Sequence, residues 1–116
     1  MRKEPERTAD TVQPRVIVLA EAGGRYQSLL QPPASVRLRS GCVVLNPGES
    51  VGEHSTEHHE ELLVILEGQG EVWTESFPPM AIDAHHLAYV PPHSRHDVRN
   101  TGTAPLRYIY LVSLAE

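Results

Sequence analysis

The sequence predicts an all-β fold, a sandwich or small barrel of antiparallel strands, and three observations carry that expectation. Glycine and proline recur at short intervals, at Gly23-Gly24, Pro32-Pro33, Pro47-Gly48, Gly68, Gly70, Pro78-Pro79, Pro91-Pro92 and Gly102. The stretches between them are rich in Val, Ile, Leu and Tyr, which suit a pleated, half-buried surface. No long segment holds a 3.6-residue apolar period free of Gly or Pro, so helix is expected only as a single turn at Tyr26–Leu30.

The elements follow in chain order. Residues 1–14, MRKEPERTADTVQP, are charged and lack the apolar centre of a secretory signal. They read as a flexible or partner-wrapping arm, and residues 15–116 as a single domain. Strands are expected at Arg15–Leu19, Val36–Leu38, Gly41–Leu45, Glu53–Ser55, Leu62–Leu66, Gly70–Thr74, Leu87–Val90, His96–Asn100 and Leu106–Ser113. Along Glu61–Leu66, one face carries Glu61, Leu63 and Ile65 and the other Leu62, Val64 and Leu66. Both faces are apolar, so the strand is expected to be covered on both sides, by a barrel interior and by a second sheet or a subunit interface. Leu106–Val112 repeats the pattern, with Tyr108, Tyr110 and Val112 opposite Ile109 and Leu111. A chain of 116 residues builds only a modest core, so a homodimer is expected to add burial.

Composition narrows the function classes. A formal net charge of -5 argues against a nucleic-acid partner. No apolar run approaches twenty residues, which argues against a membrane helix. The single cysteine, Cys42, lies in the apolar run CVVL and reads as a buried structural thiol. One cysteine suits a reducing compartment, so a cytoplasmic location is expected.

The seven histidines are the compositional outlier. Three of them, His54, His58 and His59, sit between Gly48 and Gly68, where five glutamates fall between Glu49 and Glu61. His54 and Glu61 flank the turn TEHHE, so antiparallel strands meeting there would point both side chains inward. A further donor comes from YVPPHSRHDVRN, where His96, Val98 and Asn100 share a strand face. Two imidazoles and one carboxylate suit Fe(II), Mn(II), Ni(II) or Zn(II) with coordination positions left open. Arg95 and Arg99 read as surface ion-pair partners, and Glu49, Glu53 and Glu57 as a solvated acidic rim.

At these residues the chain resembles the cupin superfamily. Its first motif, G-x5-H-x-H-x4-E-x6-G, is met by Gly48, His54, Glu61 and Gly68, with Thr56 in place of the second histidine. Its second motif, G-x5-P-x-G-x2-H-x3-N, is met by Pro91, His96 and Asn100, with His85 and His93 in place of both glycines. The resemblance covers about Gly41 to Ser113. It implies an antiparallel β-barrel of the double-stranded β-helix or jelly-roll type, a metal inside it, and often a dimer. Threonine is a poor metal ligand, so the second donor is missing. His59, two residues before Glu61, falls on the same face and is the candidate fourth ligand; His58 takes that place only if the turn is irregular. His58, His85, His86 and His93 otherwise read as solvated turn residues, and histidine tolerates the positive φ that glycine would adopt. The metal set is thus His54, Glu61 and His96, with His59 as the fourth candidate.

Three functions remain open on this reading. One is a metal-dependent enzyme of oxygenase or isomerase type acting on a small organic substrate, with His59, Tyr108 or Tyr110 as candidate acid or base. The second is a non-catalytic module that binds a small molecule. The third is a structural dimer with a vestigial metal site.

Overall fold

The computed structural model describes residues 12–21 and 24–116. The described chain is all β: β1 Tyr26–Leu30, β2 Arg39–Leu45, β3 His54–Ser55, β4 His59–Glu67, β5 Gln69–Thr74, β6 Met80–Asp83, β7 Leu87–Val90, β8 Arg95–Arg99 and β9 Leu106–Leu114. A five-stranded sheet in the order β1-β2-β9-β4-β7 faces a four-stranded sheet in the order β3-β8-β5-β6. The strand pairs are antiparallel. Among the described residues no helix is long and apolar enough to cross a membrane.

The core lies between the sheets because alternate residues of each strand point inward. On β4 the inward set is Glu61, Leu63 and Ile65, as the sequence pattern predicts, and Leu63 and Ile65 are fully buried. They pack with Val72, Val90, Val98, Leu106 and Tyr108 from the facing and flanking strands. The other face of β4 is only half covered. Leu62 and Val64 pair with Tyr89 and Leu87 of β7, which are 53% and 65% exposed.

Three expectations are corrected, and one strand is added. Tyr26–Leu30 is a strand, not a helical turn; it pairs with β2, and that pairing, not local preference, decides its conformation. Arg15–Leu19 forms no strand among the described residues. The side chain of Gln27 donates to the Val18 carbonyl of this segment and accepts from the N–H of Ala20 just after it. Val36–Leu38 lies in a bend before β2, where the Ser35 hydroxyl donates to the Leu38 carbonyl. Met80–Asp83 is a short strand that its sequence, MAID after two prolines, does not announce. Most of the expected N-terminal arm, residues 1–11, lies outside the described residues.

Two turns use glycine at positive φ. Gly68 alone joins β4 to β5, with φ at 87°, and a Cβ there would meet the Pro105 carbonyl oxygen at 2.3 Å. Gly48 has a similar φ of 85° with nothing within 4 Å of a built Cβ. Gly68→Ala therefore meets both strain and a backbone clash, whereas Gly48→Ala meets strain alone. Gly48→Ala is expected to cost about 1 kcal/mol and Gly68→Ala clearly more. Urea unfolding of the two variants measures the difference.

Candidate metal centre

The site is built where β3, β4 and β8 meet. Register places His54 of β3 opposite His96 of β8, and their ring centroids are 4.3 Å apart. Glu61 reaches them from β4, in the other sheet. His54, Glu61 and His96 each bring one ligating atom within 4.8 Å of the other two. His96 is fully buried and Glu61 nearly so, while His54 is exposed toward the opening.

The hydrogen bonds define the chemistry of the pair. His96 Nε2 donates to Glu61 Oε1 at 2.9 Å, and Nδ1 donates to the Ser94 carbonyl at 3.1 Å. Burial alone lowers the basicity of His96. The Glu61 bond, the Ser94 carbonyl and the charges of Glu61 and Asp97 outweigh it and raise the pKa above the ordinary histidine value. The metal-free site is thus a buried imidazole hydrogen bonded to the Glu61 carboxyl group.

This geometry fits a metal. His54 Nδ1 hydrogen bonds the Gly52 carbonyl at 2.9 Å, and His96 Nδ1 bonds the Ser94 carbonyl. In both cases the acceptor lies two residues upstream. A carbonyl can only accept, so each Nδ1 carries a proton, and each Nε2 is the nitrogen left to ligate. Backbone carbonyls that fix the tautomer in this way commonly orient metal-binding histidines.

The remaining predicted residues are placed as follows. Thr56 is buried, and its hydroxyl donates to the Pro91 carbonyl at 2.7 Å and accepts from the Ser94 N–H at 3.0 Å. It joins the β3–β4 and β7–β8 turns. His59 begins β4 and lines the same cavity as Glu61, but it lies outside the group of three mutually close donors. His85 and His93 both adopt positive φ, 70° and 56°, at the positions where the resemblance has glycine. Arg95 and Arg99 pair with Glu53 away from the cavity wall.

A cavity of about 630 Å³ opens beside the donors, and His54, His59 and Glu61 form its polar side. Val43, Leu45, Val98 and Val112 form apolar wall. Tyr108 and Tyr110 also line it. Burial raises the pKa of both tyrosines, with the Tyr26 hydrogen bond adding to the effect on Tyr110, so both are protonated at neutral pH. The Tyr26 and Tyr110 hydroxyls are 2.6 Å apart, and Gly41 makes room, since a Cβ there would meet both rings at 2.7 Å. Arg25, Tyr26 and Arg39 belong to this cavity too. Sequence reasoning missed these three, and no motif in the chain points to them.

The comparisons agree with this architecture. The family model described as a cupin domain matches residues 41–112. The chain belongs to the cupin family. This cupin is 31% identical over 94 residues to the tetracenomycin polyketide synthase protein TcmJ of Streptomyces glaucescens. The match takes in 78% of this chain, and the chain spans 62% of that relative's length. Among solved structures, a predicted oxalate decarboxylase from Thermotoga maritima is 26% identical, with a TM-score of 0.69 over 77% of this chain and 78% of that one. An RmlC-like cupin with a double-stranded β-helix fold from Methanocaldococcus jannaschii superposes with a TM-score of 0.73 at 16% identity, over 88% of this chain and 92% of that one. The antiparallel double-stranded β-helix expected from the sequence is therefore the fold of this cupin.

Thr56→Val keeps the side-chain volume but leaves the Ser94 N–H and the Pro91 carbonyl without this partner. A loss of about 1–3 kcal/mol in urea unfolding is expected. Retention of full stability would show that the hydroxyl is not what holds the two turns.

Proposed function

We propose that this cupin is a metal-dependent enzyme acting on a small, largely apolar organic substrate. One divalent transition ion, Fe, Mn, Ni or Zn, would be held by His54, Glu61 and His96, with His59 as the candidate fourth ligand. The cavity carries the reading, because its apolar wall runs directly to Glu61 and His54. Volumes of about 300–1,000 Å³ hold molecules well above the size of a two-carbon acid. Oxalate, named for the Thermotoga neighbour, would leave Val43, Leu45, Val98 and Val112 uncovered. A carbon-rich molecule bearing several oxygens, as polyketides are, matches this wall better, and the Streptomyces relative's name points the same way.

Three protein donors leave coordination positions open for substrate or water. When bound, the ion would supply Lewis-acid polarisation or, if redox-active, dioxygen chemistry. The chain's own residues supply the rest. Tyr108 and Tyr110 are protonated and serve as hydrogen-bond donors or acids rather than bases. Arg25 and Arg39 offer cationic donors to substrate oxygens. The valine and leucine walls exclude water and orient the substrate body.

We also infer that the cupin works as a homodimer. The half-covered outer face of β4, with Leu87 and Tyr89 beside it, and the exposed Val16 and Val18 are the surfaces such a dimer would bury. Light scattering at micromolar concentration should give twice the 12.9 kDa chain mass. A mass of one chain would refute this.

Metal analysis tests the site. Untagged wild-type protein prepared without chelator is expected to hold metal at the cavity, and His96→Ala to lose most of that cavity-bound metal. His59→Ala decides whether a fourth ligand exists. Metal content should also fall as pH is lowered, because protons compete with the ion for the imidazole ligands. If His96→Ala keeps all the wild-type metal, the site is vestigial.

Turnover tests the chemistry. Metal-loaded wild type is expected to convert members of a panel of phenols and 1,3-dicarbonyl compounds in air, and Glu61→Gln to lose at least tenfold in rate. Binding of the panel without conversion would make the protein a ligand-binding module instead.

A further inference from the structure

We propose that His58, His93 and Glu116 form a second divalent-metal site, suited to zinc and separate from the cavity. The three residues come from three parts of the chain: the β3–β4 turn, the β7–β8 turn and the segment after β9. His58 Nδ1 lies 2.5 Å from Glu116 Oε2, and His93 Nε2 lies 3.9 Å from Glu116 Oε1. The two imidazoles stand edge to face, with centroids 5.2 Å apart. One ligating atom from each of the three residues falls within 4.8 Å of the other two.

The backbone beneath this cluster is fixed. The His93 N–H donates to the Glu57 carbonyl at 2.8 Å, and the Ala115 N–H donates to the His58 carbonyl at 2.8 Å. Glu57 and His93 both hold positive φ, which turns each segment sharply at the cluster. The backbone thus brings the three side chains together, and their exposed ends, each more than half accessible, are free to adjust.

The donor set has the chemistry of zinc. Two neutral imidazoles and one carboxylate satisfy three tetrahedral positions, and bonds of about 2.0–2.2 Å put the donors about 3.3 Å apart. The two imidazole–carboxylate contacts, 2.5 and 3.9 Å to different Glu116 oxygens, bracket that value, so modest side-chain motion closes the site around an ion. Water would complete the fourth position. A zinc ion here would link the turn between His54 and Glu61 to the turn that leads into His96, and both to the end of β9. It would stiffen the frame of the cavity without touching its donors.

The test is the number of zinc ions bound by untagged protein, read by native mass spectrometry after zinc loading and buffer exchange. Wild type is compared with His58→Ala and with His93→Asn; asparagine tolerates the positive φ of residue 93, so the turn is preserved. Each variant is expected to bind one zinc fewer than wild type. Equal zinc in wild type and both variants overturns the proposal, whatever the cavity holds. The cavity reading is tested separately by His96→Ala, so failure of either site leaves the other measurable. Glu116→Gln, an exposed change that leaves the fold intact, should also lose the second zinc, because a neutral amide replaces the anionic donor.

Discussion

The hydrogen bond between His96 and Glu61 is the contact around which this barrel is arranged. It spans the two sheets, from β8 to β4, beside the apolar core. Removing either partner would leave the other a buried polar group without its hydrogen bond, a loss that commonly costs about 1–3 kcal/mol. The fold therefore has to keep the sheets in the register that joins them. Glu61 faces Val90 and Val112 across its own sheet, and His96 faces His54 and Thr74 across the other. Apolar neighbours on the one side and a second imidazole on the other make this the polar end of the cavity.

Turn chemistry holds that end in shape. Thr56 stands where the family pattern has a histidine, and its hydroxyl is spent on two backbone partners of the facing turn. A ligand position is exchanged for a structural one. His85 and His93, in place of the pattern's glycines, take up the positive φ those glycines would supply. Asn100 performs a comparable task at the far end of β8. Its amide donates to the Leu45 and Ala104 carbonyls and its oxygen accepts from the Gly102 N–H, so the turn into β9 is fixed by a fully buried side chain.

The polar residues on the other side of β8 have a different role. Asp97 is buried, accepts from the Gly52 N–H and from Arg99, and so braces the loop that leads into His54. Arg99 in turn lies over Trp73 at 5.3 Å and approaches Glu53 and Glu71. These charges keep the outer surface of the four-stranded sheet solvated and leave the apolar cavity to the inner face. The outer face of the five-stranded sheet, by contrast, exposes Leu87 and Tyr89, with the Tyr89 hydroxyl donating to Glu60.

Much of this was legible in the sequence. The Gly and Pro punctuation and the absence of helical period gave the all-β class. The alternation of Glu61, Leu63 and Ile65 gave the inward face of β4, and the spacing from Gly48 to Asn100 brought His54, Glu61 and His96 forward as one set. These features are local, repeated every two residues or held at fixed intervals, so a linear reading captures them. Tertiary structure alone decided the rest. Tyr26–Leu30 became a strand because β2 offered it an edge, while Arg15–Leu19 pairs with no strand and its Val18 carbonyl bonds the Gln27 side chain. Thr56 became a brace because Pro91 and Ser94 came within reach. His58 and His93 read as separate turn residues until folding placed them beside Glu116. Each outcome depends on partners tens of residues away, and no local pattern encodes which distant group arrives.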